Sequence, residues 1–368
     1  MEPIRYRGWL VTPSPDNKPR VLVVEVTSRC NLNCIHCFRN TMWDEEHGDM
    51  EIGVYRRVLR EAREAGVGRI VFTGWGEPLV HPDIEDMLAE AKTMGFEVAL
   101  NTNATLLRDH ARSVARYTDE VIVSLDSLRP LVYREIRVGG SLAAALEGIE
   151  ELNRYRFRGE RGRPKLVIHY TLSRLNVDEL PELPENAIRL GAVKVVVSNI
   201  IPLTREAEEK LALYERPGAE ETVERSAVRM TGPAFTSSLG VSLPRMRLTA
   251  ERSCPYMNAS ALFIRWDGLV APCMHYSHNW RFTFMGVTRT VHRVVFGDAS
   301  TQRLLDIWRG REYTRFRFRA TFFAMPSCLD CPLAEYCSYN LDNTSDCWGN
   351  TPTCAHCPFS HDIVRCPL

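Results

Sequence analysis

The sequence predicts an α/β protein, a parallel sheet open or curled into a partial barrel, followed by a smaller cysteine-rich region. Two observations carry this. From residue 20 to about 200, short β-branched runs alternate with longer amphipathic stretches, the rhythm of β/α units. Beyond residue 250 that rhythm stops, and nine of the twelve cysteines fall between Cys254 and Cys366.

The strand candidates are Arg20–Val26, Arg69–Thr73, Phe96–Asn101, Glu120–Leu125, Lys165–Leu172 and Val193–Asn199. Strands this apolar belong to a sheet covered on both faces, with its chemistry at the C-terminal strand ends. Helical patterns lie between them at Ile52–Ala65, Pro82–Gly95, Thr105–Tyr117, Ser141–Phe157 and Asp178–Leu190. Gly66 closes the first and Gly95 the second, as glycine commonly does at a helix C-terminus. Residues 204–250 read as a charged, partly helical connector. The predicted division is therefore a core over 1–203, a connector over 204–250 and a cysteine-rich domain over 251–368. Because few long apolar runs separate its cysteines, the last region is expected to draw its stability from metal ligation.

Lys plus Arg and Asp plus Glu are both 46, so the formal net charge is zero and no broad positive field exists for nucleic acid or anionic membranes. No run approaches the ~18 apolar residues of a membrane span, and the N-terminus has no apolar signal-peptide core. A cytoplasmic location is expected. Twelve cysteines in such a chain point to metal binding or redox chemistry in a reducing compartment rather than to disulfides.

Directly after the first strand, Cys30, Cys34 and Cys37 form a C-x3-C-x2-C triplet. Three thiolates within eight residues can share one soft metal centre and leave one metal position open for a ligand. A zinc site completed by His36 or a distant residue is the alternative on spacing alone. The triplet resembles the signature of the radical S-adenosylmethionine superfamily. That resemblance implies a partial (β/α)6 TIM-type barrel and a [4Fe-4S] cluster on Cys30, Cys34 and Cys37, with S-adenosylmethionine chelating the fourth iron. Reductive cleavage of the sulfonium to a 5'-deoxyadenosyl radical is the implied reaction. It places His36 near the adenine. Gly74, Gly76, Glu77 and Pro78, in Gly-Trp-Gly-Glu-Pro after the second strand, match the family's Gly-Glu-Pro segment, which contacts the methionine amino group. A carboxylate can accept from that ammonium, and glycines let backbone approach a ligand. Asn101, Asn103, Ser124 and Asp126, at the ends of strands three and four, stand where the family holds ribose and carboxylate. Strand alternation would point Ser124 and Asp126 to one face, although either pair could instead cap the following helix.

Cys254, Gly268, Cys273 and then Cys328-x2-Cys331-x5-Cys337 resemble the SPASM domain, whose auxiliary [4Fe-4S] clusters accompany many radical enzymes of this superfamily. Two auxiliary clusters need eight thiolates and the region has nine. Cys254, Cys273 and Cys347 are expected on one cluster and Cys328, Cys331 and Cys337 on the other. Cys354, Cys357 and Cys366 are left as candidates to complete them. Met274 follows Cys273 where sulfatase-maturing relatives have Asp, which argues against seryl or cysteinyl oxidation.

The tail from Asp346 to Cys366 resembles the radical maturases associated with tungsten cofactor oxidoreductases of the aldehyde ferredoxin oxidoreductase type. The implied partners are a protein or peptide substrate, a tungsten aldehyde oxidoreductase among them, and a low-potential donor such as ferredoxin. Two other readings stay open: a peptide-modifying enzyme forming thioether or carbon–carbon crosslinks, and a non-catalytic iron–sulfur electron-transfer protein. A radical made in a barrel must be shielded from water, so the cysteine-rich region is expected to cover the barrel mouth and shape the substrate pocket.

Overall fold

The computed structural model describes residues 3–43, 47–158, 163–230 and 239–366. After an antiparallel hairpin, β1 (Ile4–Tyr6) and β2 (Trp9–Val11), all six expected strands form in order. They are β3 (Val21–Val24), β4 (Arg69–Phe72), β5 (Glu97–Thr102), β6 (Glu120–Ser124), β7 (Lys165–Leu172) and β8 (Lys194–Asn199), each parallel to the next. Their middles are buried, so continuous Val, Ile and Leu runs meet helices on one face and the barrel interior on the other.

The crossover helices are α1 (Ile52–Ala65), α2 (Ile84–Thr93), α3 (Leu107–Tyr117), α4 (Pro130–Ile136), α5 (Leu142–Arg158) and α6 (Leu183–Arg189). Gly66 and Gly95 adopt φ of +82° and +85°, the left-handed cap that ends a helix without a Cβ penalty. The expected helix over Asp178–Leu190 splits into a 3-10 turn, Val177–Glu182, and α6, because Pro181 and Pro184 withdraw backbone donors. The short helix α4 escapes the sequence reading.

Two features depart from a barrel followed by an independent domain. β9 (Gly240–Ser242), after the connector helices α7 (Arg205–Leu211) and α8 (Ala219–Met230), extends the sheet beyond β8. At the opposite edge β10 (Ala261–Ile264) runs parallel to β3, followed outward by β11 (Leu269–Ala271) and β14 (Gly297–Asp298). One open ten-stranded sheet thus runs through both parts of the chain. Residues 231–238 of the Gly/Pro-containing connector lie outside the described residues.

The cysteine-rich region also contributes to an apolar core, shared with Trp75, Ile201, Leu203 and Tyr214, against the expectation that it would be poor in one. The hairpin β12 (Trp280–Phe284) and β13 (Val287–Val291) buries Trp280, Phe282, Phe284 and Val291. Period-2 alternation in Trp-x-Phe-x-Phe brings these rings to one face. Trp280 packs on Phe38, just past the cysteine triplet, at a ring distance of 4.2 Å, and on Trp75 of the Gly-Trp-Gly loop at 5.5 Å. The C-terminal region therefore sits on the loops at the mouth of the barrel. Among the described residues, no helix is long and apolar enough to cross a membrane.

Candidate active site

The C-terminal ends of the parallel strands surround a cavity of about 220 Å³. Cys30, Cys34, His36 and Cys37 line it, as do Gly74, Gly76, Glu77, Asn101, Asn103 and Ser124. The fold brings these ten together around one cavity.

The triplet loop is held from outside. Asn33 N donates to Val138 O at 2.8 Å and Ile35 N to Ile136 O at 3.0 Å, so the end of α4 fixes the loop's path. Asn103 Nδ2 donates to Asn31 Oδ1 at 2.9 Å, which ties β5 to the same loop. Burial pushes the three thiols up, Cys34 to about 12, with Arg137 opposing. Burial therefore disfavours a solitary thiolate, and a bound metal centre would share the charge. A mononuclear zinc site needs sulfurs at about 2.3 Å from one ion. Among the described residues no three His, Cys, Asp or Glu side chains converge on such a point. Three soft donors lining one cavity suit a soft metal centre.

Glu77 is held in place by three donors. Its carboxylate is buried and accepts from Thr102 Oγ1 and Asn103 N, both at 2.7 Å, and from Leu79 N at 3.2 Å. Burial raises its pKa against these bonds. The group fastens the β4 loop to the end of β5 and lines the cavity together with the Gly-Trp-Gly loop. Pro78 starts a 3-10 turn behind the lining. Asp126 also stands behind the wall, because β6 ends at Ser124 and strand alternation no longer applies two residues on. It is fully buried and pairs with Arg137 at 2.7 Å while accepting from Thr171 N at 2.7 Å.

Gly76 has no room for a side chain. A Cβ there would lie 2.3 Å from Thr27 O and 2.4 Å from Arg29 O, both backbone. Glu77 N donates to Arg29 O at 2.8 Å in the same seam. Gly76→Ala is expected to push the triplet loop outward and cost ~1–3 kcal/mol, the usual range for overpacking. Titration calorimetry should show S-adenosylmethionine binding weakened at least about tenfold. Gly68→Ala, at a position with nothing within 4 Å of the added methyl, is the control.

Several site residues were missed. Glu25 lies inside the apolar run of β3 and its flank, and its Oε2 accepts from Trp75 N at 2.8 Å. Its Oε1 lies 2.8 Å from His278 Nε2, with both side chains fully buried. A carboxylate in such a strand was a legible signal; His278, 253 residues away, was not. Arg137, His169, Ser198, Asn199 and Arg365 also line the cavity, and nothing local in sequence marked them. Met274, Phe359, Val364 and Arg365 show that the C-terminal region shapes the cavity, as shielding required.

A second, smaller cavity of about 40 Å³ is lined by Cys254, Cys273, Cys354, Cys357 and Cys366. Cys347 is not among them. It stands with Cys328 and Cys337, since Cys328, pushed up to about 12 by burial first, also feels Cys347, Asp346 and Cys337. The expected placement of Cys347 beside Cys254 and Cys273 is thereby corrected. The reason is a turn: Asp346 accepts from Trp348 N, Asn350 N and Thr353 Oγ1, reversing the chain between Cys347 and Cys354. Met274 and Phe359 line both cavities and form the partition between them.

Comparison with known proteins agrees with this geometry. Residues 24–187 match the radical SAM superfamily profile, and residues 254–332 match SPASM, an iron–sulfur cluster-binding domain. Over 353 residues the chain is 34% identical to the tungsten-containing aldehyde ferredoxin oxidoreductase cofactor-modifying protein of Pyrococcus furiosus, spanning 95% of this chain and 97% of that one. The chain belongs to the radical SAM superfamily. It is a SPASM-type radical SAM enzyme, with [4Fe-4S] clusters and S-adenosylmethionine as cofactors. A probable GTP 3',8-cyclase of Methanococcus maripaludis is 27% identical over 264 residues, 68% of this chain and 83% of the cyclase. Streptococcus suis SuiB bound to S-adenosylmethionine shares the fold, with a TM-score of 0.62 at 19% identity over 88% of this chain and 73% of that one.

Proposed function

We propose that this radical SAM enzyme matures the cofactor of a tungsten-containing aldehyde oxidoreductase, with Cys30, Cys34 and Cys37 holding the cluster that binds S-adenosylmethionine. The observation that carries this reading is the 34% identity to a cofactor-modifying protein across 97% of that relative's length. Held by these three cysteines, a reduced cluster would supply the electron for reductive cleavage of S-adenosylmethionine.

The chain's own residues bind, orient and exclude. Gly74 and Gly76 bring backbone to the ligand, Glu77 fixes that loop, and His36, Asn101, Asn103 and Ser124 offer polar contacts to the nucleoside. Arg137 places a positive charge near Cys34, its Nη1 4.0 Å from the sulfur. Trp75, Phe38 and Trp280 close the aromatic side against water. The reading divides the work among a barrel at 1–203, a connector at 204–250 and an auxiliary part at 251–368, even though one sheet joins them. Cys328, Cys331, Cys337 and Cys347 hold one auxiliary cluster. Cys254 and Cys273, with two of Cys354, Cys357 and Cys366, hold the other. The substrate is a protein or its bound cofactor, the electron donor is a low-potential protein such as ferredoxin, and the setting is cytoplasmic.

Deleting the gene should leave the partner oxidoreductase produced but inactive, with altered tungsten or cofactor content. Full activity and an unchanged mass would reject the maturase reading. Three clusters also predict about twelve iron atoms per reconstituted chain. Chelation is expected to unfold the region around Cys328–Cys347 before the barrel, read as loss of amide-exchange protection there first. Iron near four per chain would reject the auxiliary assignment.

A further inference from the structure

Of the twelve cysteines, Cys347 alone is exposed. A cluster ligand at the surface is a place where an electron can pass between proteins, so the ground around it bears on the donor.

Trp348, the next residue, ends a connected aromatic face. The Arg7 guanidinium lies 5.3 Å from the Trp348 ring centre and 5.4 Å from that of Tyr6, both within cation–π range. Tyr6 meets Phe318 edge-on at 5.4 Å, and Phe318 meets Phe322 at 5.1 Å. Trp9 stands opposite Tyr6 in the β1–β2 hairpin. These rings touch one another without being covered: Trp9 is 76% exposed, Phe322 66% and Trp348 54%. Contiguous exposed apolar surface of this kind marks an interaction site. Arg7 itself sits in the hairpin turn at φ +47°, a left-handed position that favours Asn or Gly over arginine.

Charge narrows the partner. On the helix Arg311–Phe322, Arg311, Arg315 and Arg319 recur every four residues, on the side that also carries Phe318 and Phe322. Arg319 Nη1 donates to Thr351 O at 3.4 Å, which ties this stripe to the turn that holds Trp348. The hairpin adds Arg5 and Arg7. Between Ile4 and Val11 and along that helix the only acid is Glu312, 3.5 Å from Arg315. Asp346 follows the face in sequence but is turned inward, 2% exposed, and accepts from Trp348 N and Asn350 N. In a chain of zero net charge this is a local positive field, and its complement is an acidic surface.

The face also leads inward. Cys328, which stands with Cys347, donates its backbone N–H to Ala355 O at 3.0 Å and shares one apolar cluster with Met325 and Cys354. Cys354 Sγ donates to Met325 Sδ at 3.5 Å. The two sets of auxiliary thiols therefore abut, and Met274 and Phe359 part the second set from the triplet cavity.

We infer that a small acidic protein carrying one electron at low potential docks on the face made by Arg7, Trp348 and the Arg311–Phe322 stripe, beside Cys347. The carrier is oxidised by one electron and the centre that Cys347 helps to hold is reduced by one; no bond or proton changes place. A patch of this size suits a transient redox complex, which buries under ~1,200 Å² in all. The inference deepens the proposed function and rests on its assignment of Cys328, Cys331, Cys337 and Cys347 to one cluster.

The test is titration calorimetry of the anaerobic holoenzyme with a bacterial [4Fe-4S] ferredoxin, an acidic carrier, at about 50 mM and about 500 mM salt. Affinity should fall at least about tenfold at the higher salt, and by as much at low salt in the double variant Arg7→Glu, Arg315→Glu. The Lys pair at the same positions should keep most of it. Release of 5'-deoxyadenosine driven by ferredoxin should fall with binding in the Glu variant, whereas release driven by dithionite, which needs no docking face, should not change. No binding of ferredoxin, indifference to salt, or unchanged affinity in the Glu variant overturns the inference. An equal loss of dithionite-driven release also overturns it, because the arginines would then be structural. The salt dependence of the unaltered protein stands however the variants fold. If the Glu variant weakens binding of the tungsten oxidoreductase and leaves ferredoxin alone, the face belongs to the substrate and the inference fails. Failure of the maturase reading appears elsewhere, as an unaffected oxidoreductase in the deletion strain, and failure of the auxiliary assignment appears as iron near four per chain.

Discussion

Anaerobically reconstituted protein in which Cys30, Cys34 and Cys37 are all replaced by Ala is expected to release no 5'-deoxyadenosine from S-adenosylmethionine under dithionite, while keeping about two thirds of its iron. The three thiols line one cavity and the other nine cysteines lie elsewhere, five around the second cavity and the rest along Cys328–Cys347. The effect should be complete rather than graded. Each thiol sits in a buried setting that disfavours a solitary thiolate, so losing the ligand set removes the only reason for charge to exist there. The loop itself should survive, because its backbone is pinned to Ile136, Val138 and Asn103 rather than to the sulfurs. Product release equal to that of the unaltered protein would sink the assignment of the triplet. Loss of nearly all iron would show that the auxiliary clusters depend on the first.

Arg137→Met is expected to be the most destabilising single change in the site, at about 3–5 kcal/mol near neutral pH, measured by denaturant unfolding. Burial alone would raise the pKa of Asp126, but Arg137 foremost, then His36 and the Thr171 N–H, hold it below the ordinary carboxylate value. Asp126 thus favours the folded state above its unfolded pKa, and this contribution is lost as pH falls through the lower folded value. Removing Arg137 reverses the sign. The carboxylate is then buried without its cation, its folded pKa rises, and it is penalised at pH values above that new value. The deficit of the variant should therefore be larger at pH 8 than at pH 5, where protonation relieves it. Adding Asp126→Asn should recover most of the loss, since an amide needs no counter-charge. A deficit of under about 1 kcal/mol, independent of pH, would show that the pair is dispensable. His36 and His169, pushed down to about 4 by burial first, remain neutral in the native site, so neither replaces the lost cation.

The two results separate what contiguous chain encodes from what folding assembles. Alternation of apolar runs with amphipathic stretches determined six parallel strands and their crossover helices, because periodicity is a local property that each element carries whole. Gly66 and Gly95 announced helix ends for the same reason. The triplet and the Gly-Trp-Gly-Glu-Pro loop were legible because every ligand lies within a few residues of the next, and a strand end aims them together. Glu77 was readable as a site residue but not as a tie to Thr102 and Asn103, because a motif names a residue and not what its oxygens will meet.

The rest waited for tertiary structure. Asp126 finds Arg137 only because α4 returns the chain across the barrel mouth, and Glu25 finds His278 only because β10 docks beside β3. The resemblance to the auxiliary-cluster domain led to the expectation of Cys347 beside Cys254 and Cys273. The turn capped by Asp346 sends it instead to Cys328 and Cys337, seven residues before Cys354 joins the other set. The last described segment likewise meets the end of β8, where Asn199 Nδ2 donates to Ile363 O and Arg365 N donates to Ser198 Oγ. By itself the sequence carried the fold class through periodicity along the chain, and through the resemblance of its motifs it carried the cofactor chemistry expected at Cys30, Cys34 and Cys37. Partner choice among buried charges and thiols was decided only by the folded structure, where low dielectric and close packing reward whichever groups meet, however far apart they lie in sequence.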